Sequence, residues 1–215
     1  MTPDTAATAA PIDAVVFDIG RVLIEWEPEA FYDSRIGEDR RQQLFADVPL
    51  HDVNLEIDRG APFRQSIEDL AAEHPAWSEE IRWWHDCWLD MVPREIAHTV
   101  RLKQALRARG IPVFALSNFG ADTFDIACER YPFLQEFDHA FVSAHLKCIK
   151  PDAEIYAILE RETGVAPQRL LFTDDRPENI AAAESRGWQT HLFTTPAPFA
   201  QRLVQHGLLT AEEAA

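Results

Sequence analysis

The run Val15-Val16-Phe17-Asp18-Ile19-Gly20 constrains the fold more than any other stretch of this chain. Consecutive β-branched and aromatic residues spell a short buried strand, and here the strand stops at a carboxylate followed by a glycine turn. In an open parallel α/β sheet, ligands bind in the crevice outside the carboxyl ends of the strands. Asp18 is therefore expected to face the site of chemistry and is the first candidate nucleophile.

Three later runs also end in polar residues. Val113-Phe114-Ala115-Leu116 leads into Ser117-Asn118, Phe141-Val142-Ser143 precedes Lys150-Pro151, and Leu170-Leu171-Phe172-Thr173 ends in Asp174-Asp175. Helical patterns separate them. One runs through Ile96, Val100, Ala105 and Leu106 to a stop at Gly110, and another from about Ala121 to Arg130. A third carries Ile155, Ile158 and Leu159 with Pro151 in its first turn, a fourth runs from Ile180 to Ala183, and a last strand covers Thr190 to Phe193. The alternation predicts an α/β fold, a Rossmann-like parallel sheet with helices on both faces.

Residues 28–95 lack strand signals. Within them, Ser78 to Asp90 sets Ile81, Trp84 and Trp88 at helical spacing, with Trp83 and His85 on flanking faces. The expected organisation is a core of residues 11–27 and 96–210 carrying a small helical cap at 28–95. Residues 1–10 read as a disordered arm without the basic start or long apolar stretch of a secretory signal, and Thr210 to Ala215 as a frayed tail.

The four strand-end motifs, in this order, resemble those of the haloacid dehalogenase-like hydrolase superfamily, with the resemblance running from about Asp13 to Phe193. The helical segment between the first two motifs is similar to the substrate-selecting cap of its phosphatase-type members. The resemblance implies that Asp18 is phosphorylated during turnover, that Ser117 and Asn118 bind phosphate oxygens, and that Lys150 balances the charge of Asp18 and phosphate. It further implies a Mg2+ ion held by Asp18, the carbonyl of Gly20 and Asp175, with Asp174 acting directly or through water and Asn179 orienting the shell. The charges point the same way. Carboxylates about 4 Å apart repel by roughly 4 kcal/mol at an effective dielectric near 20, and a divalent cation removes the conflict. Few protein ligands, all hard oxygens, suit Mg2+. Lys147 and Arg176 read as exposed.

One position departs from the family pattern. Family phosphatases commonly carry a second aspartate two residues after the nucleophile as general acid and base, whereas Gly20 stands here, as it does in the bacterial α-glucose-1-phosphate phosphatases that this chain resembles. Glu25, Glu27, His51 or His85 could take over the proton transfer.

Composition excludes other classes. A formal charge of −16 and no visible basic patch argue against nucleic-acid binding. The repulsive field also requires any phosphate site to carry its own positive charge. No apolar run is long enough for a membrane span. Three scattered cysteines, Cys87, Cys128 and Cys148, fit reduced thiols in a cytoplasm.

The expected function is thus a Mg2+-dependent phosphatase acting on a small phosphorylated metabolite, such as a sugar phosphate. The alternatives are a metal-independent 2-haloacid dehalogenase, against which Asp174-Asp175 weighs, and a non-catalytic binding protein on the same scaffold. Substrate identity, the part played by Trp83, Trp84 and Trp88, and the oligomeric state stay open at this level.

Overall fold

A computed structural model describes residues 10–215. The predicted arm at residues 1–9 lies outside them, and the carbonyl of Ala10 accepts a hydrogen bond from Gln189 Nε2 at 2.8 Å. The apolar runs form parallel strands β1 (Ala14–Phe17), β2 (Val113–Ser117), β3 (His139–Val142), β4 (Leu170–Asp174) and β5 (Gln189–Leu192). Their order is β3-β2-β1-β4-β5. Val16 pairs with Phe114 on one side and Phe172 on the other, so β1 is central and its end lies beside the end of β4. The chain builds outward through β2 and β3, then crosses back to β4. That reversal creates a crevice between β1 and β4 at the carboxyl edge of the sheet.

Side chains alternate across a strand, and both faces of this sheet are covered. Ala14, Val16, Leu116, Leu170 and Phe172 face helices α9 (Ala153–Thr163) and α10 (Pro177–Ser185), meeting Ile155, Tyr156, Leu159 and Ala183. Val15, Phe17, Ala115 and Leu171 face the other way, in one cluster with Leu102 and Leu106 of α6 (Ala97–Ala108) and Phe199 and Leu203 of α11 (Pro196–Gln205). Helices α7 (Ala121–Arg130) and α8 (Ser143–Leu146) follow β2 and β3.

Between β1 and α6 stand helices α1 (Pro28–Ile36), α2 (Glu38–Asp47), α3 (Leu50–Asp58), α4 (Phe63–Glu73) and α5 (Ser78–Asp86). This insertion leaves and returns through a paired stem, in which Glu27 N–H bonds to Met91 O at 2.7 Å and Ile96 N–H to Leu23 O at 2.8 Å. Trp84, fully buried, is its centre, with rings of Trp26, Tyr32, Phe45 and His51 around it. Gly120, at the start of α7, lets α3 approach. A Cβ there would lie 2.7 Å from Ile57 Cγ2 and 2.8 Å from Thr123 Oγ1.

Three local expectations are corrected. The helix predicted over Ser78 to Asp90 ends at Asp86. Cys87 leaves helical geometry, and Trp88–Met91 form a separate 3-10 turn that takes Trp88 off the α5 face. Pro151 is not in the first turn of α9, because the helix begins at Ala153 with Asp152 as its N-cap. The tail at 210–215 is docked rather than frayed. Ala214 is buried with its carbonyl 2.9 Å from His98 Nε2, and Glu213 pairs with Arg109 at 2.9 Å. The three cysteines are free. No helix among the described residues is long and apolar enough to cross a membrane.

Candidate active site

Asp18 follows the last residue of β1, and the parallel register brings three other segments to it. Its Oδ1 accepts from Ile19 N–H at 2.7 Å and Ser117 Oγ at 2.7 Å, and lies 2.9 Å from Lys150 Nζ. Its other oxygen accepts no hydrogen bond among the described residues. Lys150 is 2% exposed and reaches across to Asp174 Oδ2 at 2.6 Å, so one ammonium bridges the ends of β1 and β4. Asn118 sets that ammonium's place. Its Oδ1 accepts from Lys150 N–H at 2.7 Å and its Nδ2 donates to Lys150 O at 2.9 Å. The Asn118 side chain is thus committed to the lysine backbone.

Asp174 is fully buried and fully subscribed. Besides Lys150, it accepts from Arg176 N–H at 2.8 Å, and Asn179 Nδ2 lies 3.0 Å from each of its oxygens. Because Asp174 offers only acceptors, the Asn179 amide nitrogen must face it, and Asn179 Oδ1 is left buried without a partner among the described residues. Asp175 is half-buried. Asp18, Asp174 and Asp175 each offer a carboxylate oxygen, all within 4.8 Å of one another.

These groups are electrostatically incomplete by themselves. Burial pushes Asp18 up to about 7, Asp174 and Asp175 add to the rise, and Lys150 and Ser117 oppose it. Burial also raises Asp175, with Asp174 again contributing. For Lys150 burial disfavours the charge, yet Asp174 and Asp18 outweigh it and hold the group above the ordinary lysine value. Three carboxylates against one ammonium leave two uncompensated negative charges. A divalent cation supplies that balance, hard oxygens are the donors that Mg2+ takes, and the orphaned Asn179 Oδ1 is an acceptor suited to a cation-bound water.

The group opens into a cavity of about 530 Å³ between the sheet edge and the insertion. All the sequence-predicted site residues except Asp174 line it, including Gly20, whose Cβ position has no atom of the described residues within 4 Å. Trp88 lines it as well, whereas Trp83 and Trp84 pack into the core. Of the four residues considered for proton transfer, only His51 faces the cavity. Glu25 pairs with Arg94, Glu27 lies in a separate surface groove, and His85 bonds to Asp86. Arg176 is exposed as expected, beside Glu178 at 2.7 Å, but it also lines the cavity.

Several lining residues had no signal in the sequence. Arg21 and Trp26 lie in the segment after β1, and docking of the insertion brings Glu29, Asn54 and Asp58 to the crevice. Among them Asp58 stands out, because burial pushes its carboxyl up to about 7, with the charge of Asp18 adding to the shift and Gly120 N–H and Lys150 opposing it.

Residues 12–187 match the model of the haloacid dehalogenase-like hydrolase family. The chain is 23% identical to a D-ribitol-5-phosphate phosphatase of Bacteroides thetaiotaomicron, over 89% of this chain and 97% of that protein. A crystal structure of an enzyme of the same family and organism, in complex with magnesium and inorganic phosphate, is similar with a TM-score of 0.64 and 20% identity, covering 86% of this chain and 95% of the other. An L-2-haloacid dehalogenase from Xanthobacter autotrophicus is similar at a TM-score of 0.54 and 18% identity, covering 94% and 86%.

Proposed function

The chain belongs to the haloacid dehalogenase-like hydrolase family, and from that premise we propose that it is a Mg2+-dependent phosphatase of a small phosphorylated metabolite, acting through Asp18. One observation carries the proposal. A strand-end carboxylate, a hydroxyl and a buried ammonium meet within hydrogen-bond reach beside two further carboxylates, at the foot of a cavity.

In this function Asp18 attacks phosphorus while Ile19 N–H, Ser117 and Lys150 orient its carboxylate. The resulting aspartyl-phosphate is then hydrolysed, dividing one difficult displacement into two easier ones. Lys150 offsets the negative charge of the transferring group, and Asn118 keeps the lysine in place with its side chain, leaving its backbone N–H for a phosphate oxygen. Asp18, the Gly20 carbonyl and Asp175 would hold the cation. Asp174 acts through Lys150 and through water, because its oxygens are already occupied. When bound, Mg2+ neutralises charge on the phosphoryl oxygens and keeps Asp18 ionised.

Trp26, Trp88 and Phe119 beside Glu29, His51 and Asn54 give the cavity apolar faces with polar edges, which suits a sugar or polyol phosphate. The B. thetaiotaomicron phosphatase, named for a polyol phosphate, supports that class.

Hydrolysis of a panel of sugar and polyol phosphates should vanish in chelator and return with Mg2+. Asp175→Ala should raise the Mg2+ concentration needed for half-maximal activity by at least about tenfold, since even outer-shell partners of a metal contribute that much. Unchanged phosphatase activity in chelator would refute the cation role. Halide release from 2-haloacids in its place would establish the dehalogenase function, and binding of Mg2+ and phosphate with no hydrolysis a non-catalytic one.

A further inference from the structure

Displacing an alkoxide from phosphorus requires a proton at the departing oxygen, and Gly20 has no side chain to give one. Within the cavity, Lys150 is bound to Asp18 and Asp174, and Asp175 is reserved for the cation. Arg21 and Arg176 hold their protons too tightly. His51 is about half exposed, 4.0 Å from Glu29, and Glu29 is itself 43% exposed at the cavity rim.

We propose that Asp58, delivered to the cavity by the insertion, is the catalytic acid and base of this reaction. The inference rests on the phosphatase function proposed above. Asp58 closes helix α3, and several contacts fix it against the core. Its Oδ2 accepts from Asn54 Nδ2 at 3.2 Å, and Asn54 Oδ1 in turn accepts from the buried Trp84 Nε1 at 3.0 Å, so the amide cannot turn over. The N–H of Gly120, the glycine that allows α3 to approach, favours the charged form of its carboxyl. Its own carbonyl accepts from Ser143 Oγ at 2.6 Å, and Ser143 accepts from Phe119 N–H at 2.9 Å. A residue from the insertion is thereby locked to the loops that follow β2 and β3.

The electrostatic surroundings suit a proton carrier. Burial raises Asp58 to about 7, with Asp18 adding to the rise and Gly120 N–H and Lys150 limiting it. A carboxyl in that range holds a proton near neutral pH and can release it during turnover. Arg21, Glu29, His51, Asp175 and Arg176 are the other charged or titratable groups around the cavity.

The steps balance. Asp18 forms a bond to phosphorus as the bond from phosphorus to the leaving oxygen breaks. That oxygen keeps the electron pair and takes the Asp58 proton, leaving Asp58 as a carboxylate. Water then attacks the phosphorus and gives its proton to Asp58, and the phosphorus–Asp18 bond breaks. Inorganic phosphate, ionised Asp18 and protonated Asp58 result.

The test compares p-nitrophenyl phosphate, whose leaving group needs no proton, with simple alkyl phosphates, all in saturating Mg2+. Asp58→Asn and Asp58→Ala should lower kcat on alkyl phosphates by about 10²- to 10⁴-fold, the usual worth of a positioned acid, with the loss on p-nitrophenyl phosphate at least about tenfold smaller and KM little changed. In the Asp58→Asn protein, Gly20→Asp should recover part of the alkyl activity, since its Cβ meets no atom and its φ lies outside the left-handed region. An equal loss on both substrate types in both folded variants would overturn the inference. A rise in KM alone, confined to hydroxylated substrates, would overturn it in favour of substrate binding. A wild-type protein that hydrolyses neither substrate would remove the phosphatase function itself, a result distinct from these.

Discussion

Asp18→Asn is expected to abolish phosphatase turnover and leave the protein folded. Asparagine keeps the shape and can still accept from Ile19 N–H and Ser117 Oγ at the 2.7 Å contacts, while Lys150 keeps its 2.6 Å partner in Asp174. What disappears is the proposed nucleophile, and no other carboxylate is placed to replace it. Asp174 is occupied on both oxygens, and Asp175 lies after the end of the neighbouring strand. Enzymes typically supply rate enhancements of about 10⁶-fold or more, so the loss of a covalent nucleophile should leave less than about one hundredth of the wild-type kcat. Steady-state kinetics with a thermal melt on the same sample decide it. Residual turnover above that level in a folded variant would remove the nucleophile assignment, as would phosphate labelling at a residue other than Asp18 in the wild type.

Lys150→Met should produce the largest loss of stability. Methionine matches the length of the lysine stem but carries no charge, so Asp18 and Asp174 are left facing each other in a buried site. Removing one member of a buried ion pair costs about 3–5 kcal/mol, because the remaining charge is uncompensated. For a chain of this size, that is a fall in Tm of about 6–20 °C. The sign of the pH dependence follows from Asp18. Its folded pKa is already raised to about 7 with the lysine present, whereas an unfolded aspartate titrates near about 3.9. Stability associated with such a group is fully present below the unfolded value and is lost as pH rises through the folded one. The deficit of the variant should therefore be small near pH 4 and largest above pH 7 in chelator, and added Mg2+ should recover part of it. A Tm within about 2 °C of wild type at pH 8 in chelator would show that Lys150 does not balance these carboxylates.

Most of the residues gathered at the foot of the cavity were legible from sequence because each follows directly from a local pattern. Val15 to Asp18 and Leu170 to Asp174 are uninterrupted apolar strands that end in acid, and a strand buried on both faces has little freedom in where its last residue emerges. Lys150 and Asn179 were reached through the family resemblance. The role of Asn118 was not legible. Its side chain holds the Lys150 backbone, and only the tertiary path of the loop after β3 brings that backbone to it. The tail misled for a related reason. Ala214 and Glu213 look like chain-end residues until His98 of α6 and Arg109, just past its end, come beside them.

Propensity and periodicity act over a few residues, and they set the strands, the helices between them and the polar residues that end the first four strands. The tertiary structure decided that β1 and β4 lie side by side, so that one buried ammonium serves two carboxylates separated by more than 150 residues of chain. It also decided that α3 docks against Gly120 and brings Asp58 into the cavity, while Glu25, Glu27 and His85 turn elsewhere. That choice depends on the fit of Ile57 against a glycine and of Trp84 against Asn54, contacts between distant segments that no local pattern encodes.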